Sequence, residues 1–98
     1  MAAPVFIGDE VTAAGFRLAG CAVEVPEPGQ AAETLARARR SAGLILMTAA
    51  EAASVPRRDL DEALRGPQPL LLIIPDINGT HEPPDMESRI RALLGIDA

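Results

Sequence analysis

Four short strand-like runs punctuate the chain: Val5-Phe6-Ile7, Cys21-Ala22-Val23-Glu24-Val25, Leu44-Ile45-Leu46-Met47 and Leu70-Leu71-Leu72-Ile73-Ile74. Each is too short for a buried helix, and the segments between them carry helical spacing, so strands and helices must alternate. The first run ends at Gly8, whose backbone freedom suits a turn. Asp9 and Glu10 then place negative charge beside the unpaired amides of a helix start. Val11, Ala14, Gly15 and Leu18 follow at i, i+3, i+4 and i+7, which predicts one buried helical face. Pro26-Glu27-Pro28-Gly29 closes the second run, and a helix over about residues 30–40 follows with Ala32, Leu35, Ala36 and Arg39 on one side. Thr48 and Glu51 have capping-box spacing and start the next helix. Pro56 interrupts that helix as a kink or a restart after Ser54, and Leu60 and Leu64 carry its apolar side onward. Gly66-Pro67-Gln68-Pro69 stops it. The last run is apolar throughout, which predicts a strand buried on both faces.

Such alternation predicts an α/β fold, with right-handed crossovers and helices on both faces of a parallel sheet. The expected domain is small and Rossmann-like or receiver-like. Its four-stranded parallel sheet is built from segments near residues 4–7, 21–25, 44–48 and 70–74, in spatial order 2-1-3-4, and residues 1–75 form the core domain. Residues 76–85 hold Asn78-Gly79 and Pro83-Pro84 without an apolar period and read as a flexible tether. A C-terminal amphipathic helix over residues 86–98 follows, with Asp85 as N-cap and Met86, Ile90, Leu93 and Leu94 in a narrow apolar stripe. Gly95 ends it, with Ile96 placed to fold back on Ile90. A single stripe buries little area, so docking this helix on the sheet is worth only roughly a few kcal/mol after ordering costs.

Composition narrows the chemistry. A net charge of −5 gives no overall attraction to phosphate backbones or anionic lipid, and nucleic acid is not an expected partner. All nine basic residues are Arg, so a Schiff-base lysine and a P-loop lysine are both ruled out. Cys21 is the single cysteine, which excludes an internal disulfide and a zinc cluster and leaves a buried structural thiol as its expected role. No apolar run approaches the length of a membrane span, and the N-terminus lacks the charged region of a signal peptide, so a cytoplasmic location is the default. His81 stands alone beside Glu82 and two prolines and reads as an exposed loop histidine. Asp9, Glu10 and Asp76 follow strands at the carboxyl edge of the expected sheet, where such folds place their sites and where carboxylates bind magnesium. The favoured reading assigns Asp9 and Glu10 to the start of the first helix and Asp76 to a turn after Pro75. A phosphate-accepting receiver needs an aspartate at the end of its third strand and a later lysine; this chain has Met47-Thr48 and no lysine. Arg37, Arg39 and Arg40 are read as a solvated last turn that complements the helix dipole. No catalytic set, cofactor or metal site is expected.

The opening, Ile7-Gly8-Asp9-Glu10 with Thr12 and then Gly15-Phe16-Arg17-Leu18-Ala19-Gly20, resembles that of the F-type small stalk component of the V-type and A-type rotary ATPases. Three further blocks resemble the same family in order and spacing: Leu44-Ile45-Leu46-Met47-Thr48 with Ala50-Glu51, Pro69 through Pro75-Asp76, and the closing Arg89-Ile90-Arg91-Ala92-Leu93-Leu94-Gly95-Ile96-Asp97. The resemblance implies a non-catalytic central-stalk (rotor) component of a proton or sodium translocating ATPase or ATP synthase. It would bind the long coiled-coil (D) component of the rotor, contact the A/B catalytic head transiently, and lie peripheral to the membrane without inserting into it. Phe16, Arg17, Met86, Ile90, Leu93 and Leu94 are the candidate interface residues. Two alternatives stay open: a stand-alone receiver-like signalling or regulatory module without a phosphoacceptor, and a small enzyme using the edge formed by Asp9 and Asp76.

Overall fold

A three-residue strand has too few ladder bonds to stand alone, and the first strand, β1 (Val5–Ile7), is paired on both sides. The computed structural model describes residues 3–75. After β1 come α1 (Glu10–Leu18), β2 (Ala22–Glu24), α2 (Ala31–Arg39), β3 (Leu44–Thr48), α3 (Ala49–Ala53), α4 (Arg57–Arg65) and β4 (Leu70–Ile74). All pairings are parallel, and the sheet order is β2-β1-β3-β4, as the alternation of elements predicts. Phe6 sits beside Leu46 and Val23, whereas Ile7 sits beside Met47 and Glu24. The pleat therefore sends Phe6 and Ile7 to opposite faces.

On the Ile7 face, Ile7, Ile45, Met47 and Leu71 form one core with Ala31, Leu35 and Ala38 of α2, Ala52 of α3, Val55, and Ala63 of α4. The sheet contributes the bulk and the helices contribute mostly alanine, so the helices can lie close against the strands. On the other face Phe6, fully buried, meets α1. The Phe6 and Phe16 rings stack with centroids 4.5 Å apart and planes within 9°.

The helix ends follow local chemistry. Asp9 caps α1 and Thr48 caps α3 through their side-chain oxygens. After α1 the Gly20 N–H donates to the Arg17 carbonyl and the Cys21 N–H to the Phe16 carbonyl, while Gly20 adopts φ +98°. That is a Schellman stop, which requires the left-handed conformation glycine tolerates. The interruption at Pro56 is a restart: α3 ends at Ala53 and α4 begins at Arg57.

Burial departs from the expected pattern on three helices and one strand. Val11, Ala14, Gly15 and Leu18 are not the buried face of α1; all are exposed, and Thr12, Ala13 and half-buried Phe16 turn inward instead. Stacking of Phe16 on Phe6 fixes that rotation. On α2 the buried set is Ala31, Thr34, Leu35 and Ala38, with Ala36 exposed. On α4, Ala63 is buried and Leu64 exposed, because a close helix-to-sheet approach favours the smaller side chain. β4 is an edge strand: Leu71 is buried, but Leu70 and Leu72 on the Phe6 face are exposed. Its uninterrupted apolar sequence predicts burial on both faces, and only one is closed among the described residues. Cys21 is half-buried. The tether and the closing helix lie outside the described residues.

Gly8 sits where the two faces meet the carboxyl edge. A Cβ there would lie 2.5 Å from Cζ of Phe6 and 2.6 Å from Cγ2 of Thr48, both on fully buried side chains. Gly8→Ala is therefore expected to destabilise the domain by about 1–3 kcal/mol through overpacking, read as a lower midpoint in urea unfolding.

Candidate functional site

Parallel α/β sheets gather their loop ends at the carboxyl edge, and here that edge presents Gly8 and Asp9 after β1, Thr48 at the end of β3 and Pro75 after β4. Asp76 lies outside the described residues. Asp9 spends its carboxylate on its own helix: Oδ2 accepts from the Thr12 N–H at 2.9 Å, and Oδ1 accepts from the Thr12 hydroxyl at 2.8 Å. Partial burial alone would raise the Asp9 pKa. The hydrogen bonds from the Thr12 N–H and hydroxyl and from nearby backbone amides outweigh it and hold the carboxyl below its ordinary value. Glu10 reaches Arg17 across α1 at 3.5 Å, both side chains more than half exposed. Thr48 stands at the third-strand position where a receiver carries its acceptor aspartate. It is buried, and its Oγ1 accepts from the Glu51 N–H at 3.3 Å. These edge groups thus serve helix starts, which is the reading favoured for Asp9 and Glu10. Among the described residues no group of three or more His, Cys, Asp or Glu side chains is placed to hold a metal ion.

Elsewhere the charges are dispersed. Arg37 ties α2 to β2 through Glu24 at 3.3 Å, and Arg57 pairs with Asp61 one turn on at 3.2 Å. Arg39 lines a shallow groove of about 190 Å³ between α2 and α4, floored by Ala32, Leu35 and Ala36 and rimmed by Asp59 and Glu62. That volume falls short of the roughly 300–1,000 Å³ usual for small-molecule sites. Arg37 and Arg39 are thus engaged on different parts of α2 and do not converge on a common anion site.

What the surface offers instead is apolar. Val11 is 68% exposed and Leu18 91%, with Ala14 and Gly15 between them on the outward side of α1. Of the expected interface residues, Phe16 is half-buried against Phe6 and Arg17 is exposed beside Glu10. Met86, Ile90, Leu93 and Leu94 lie outside the described residues. The stripe on α1 is visible in the sequence as periodicity, which by itself does not say that it faces outward. The signal that locates it outside is the aromatic pair: with only two aromatic residues in the chain, Phe6 on a strand and Phe16 on the next helix are natural stacking partners.

Capped edge carboxylates, a small groove and an outward apolar helix stripe describe a small parallel α/β domain whose distinctive surface suits contact with another protein. A sequence profile of the ATP synthase (F/14-kDa) subunit family matches residues 5–92, and the chain belongs to that family. It is thus of the kind that serves as a component of an ATP synthase complex. Curated protein sequences gave no match. Among the described residues no helix is long and apolar enough to cross a membrane.

Asp9→Ala is expected to lower stability by about 1 kcal/mol at neutral pH, through loss of the cap. Because the folded pKa is depressed, the ionised cap stabilises fully above the unfolded-state pKa, and the contribution fades as pH falls through the lower folded value. Urea unfolding of the two proteins across the acid range should show their midpoints converging.

Proposed function

We propose that the protein is the non-catalytic small central-stalk component, the F/14-kDa type, of a V-type or A-type proton or sodium translocating ATPase or ATP synthase. In this role it binds the long coiled-coil (D) component of the rotor, turns with it inside the A/B catalytic head, transmits torque and regulates ATPase coupling. The observation that carries this reading is the family match across residues 5–92, which spans the α/β domain and most of the closing segment. The edge geometry agrees with a non-catalytic role, since Asp9 and Thr48 are committed to helix caps.

The proposed interface includes Arg17, reaching from exposed α1, Phe16 behind it, and the stripe of Met86, Ile90, Leu93 and Leu94. A helix with one apolar side is suited to lie along a partner helix. Other parts of the complex span the membrane, and this chain is peripheral to it on the cytoplasmic side.

Co-expression with the coiled-coil stalk protein of its own complex is expected to give a co-purifying pair, and the purified chain alone to hydrolyse no ATP. Absence of association between the folded proteins at micromolar concentration would refute the assignment. The Ile90→Asp, Leu94→Asp double variant is expected to keep its circular dichroism while losing co-purification or uncoupling the assembled ATPase. Unchanged binding and rate would remove the closing helix from the interface.

A further inference from the structure

Gly15 is a residue the domain itself gives no reason for. It lies inside α1 with helical backbone, and a Cβ built on it would meet nothing within 4 Å. Glycine in a helix interior costs about 1 kcal/mol relative to alanine, so a glycine in open space asks for an explanation outside the fold. Its neighbours on the outward side supply one. Val11, Ala14 and Leu18 lie at i, i+3 and i+7 of an exposed face, large residues at the two ends and small ones at the centre. A helix crossing α1 there would seat its backbone close to Ala14 and Gly15 while Val11 and Leu18 close over it on either side. Glu10 and Arg17, one heptad apart, line one flank of that seam with opposite charges.

From these observations we infer that the outward face of α1, centred on Ala14 and Gly15 between Val11 and Leu18, is a seat for a helix of the coiled-coil stalk protein. This rests on the function proposed above and adds a contact to it. The partner helix is expected to present an apolar stripe, with a basic side chain opposite Glu10 and an acidic one opposite Arg17. An isolated nine-residue helix face is small for a stable interface. It therefore acts as one part of a larger contact.

Two variants test it without disturbing the fold. Val11→Glu with Leu18→Arg places an acid in the first turn and a base in the last, as the helix dipole favours, and removes both apolar ends of the stripe. Gly15→Gln fills the close-approach point with a better helix former. Binding of the full chain to the immobilised coiled-coil protein is expected to weaken about tenfold or more in each variant, with melting temperatures unchanged or raised. If wild type binds and both variants bind equally well, this inference falls while the proposed function stands; if wild type does not bind, the proposed function falls and takes the inference with it. A marked drop in melting temperature in the Val11→Glu, Leu18→Arg variant would assign the stripe to a covering segment of this chain and overturn the proposal. Wild-type dimers in solution that the variants dissociate would assign it to a second copy and equally overturn it.

Discussion

The stack of Phe16 on Phe6 is the contact on which the arrangement of this domain depends. These are the only aromatic side chains in the protein, and each is the largest object on its element. Once Phe6 points to the face that α1 covers, its ring can be shielded only by something of comparable area. The small Thr12 and Ala13 would not suffice, and Phe16 completes the cover. The same ring crowds Gly8, which leaves no room for a side chain between β1 and Thr48. One aromatic pair thus sets the rotation of α1 and the tightness of the turn that precedes it, and through the rotation it sends Val11 and Leu18 to solvent.

The two faces of the sheet are built to different standards. On one side three helices contribute mainly alanine against Ile, Leu and Met from the strands, so helix backbones approach closely and the packing is continuous. On the other side α1 covers β1 and β2, whereas Leu70 and Leu72 of edge strand β4 are exposed among the described residues. A rotor component needs a stiff body and surfaces that grip. The first face meets the former need, and the apolar stripe on α1 meets the latter in the proposed role.

The polar chemistry at the carboxyl edge is local. A carboxylate in this position of a parallel sheet invites a catalytic reading, but Asp9 already accepts from an amide and a hydroxyl of its own helix and acts as a cap. Its lowered pKa has the same origin, because hydrogen bonds that favour the charged form stabilise both the helix start and the ion. The salt bridges are solvent-exposed and contribute little each; their role is to orient α2 against β2 and to decorate helix surfaces.

The sequence by itself determined the order of elements, the parallel sheet and its strand order. Run length, glycine and proline punctuation and capping residues are local signals, and connection rules leave few topologies for four strands and intervening helices. The caps at Asp9 and Thr48 were legible for the same reason, since a cap bonds within three residues. The faces of the helices were decided by the tertiary structure. Val11, Ala14, Gly15 and Leu18 form a good apolar period whether they point inward or outward, and so do the residues of α2; periodicity identifies a stripe but carries no information about its partner. Which stripe is buried depends on contacts between elements far apart in the chain, here a phenylalanine on β1 and alanine-sized gaps over β3. Likewise the apolar run of β4 could not reveal that it stands at the edge with one face open, because burial of a strand depends on what covers it and not on its own composition.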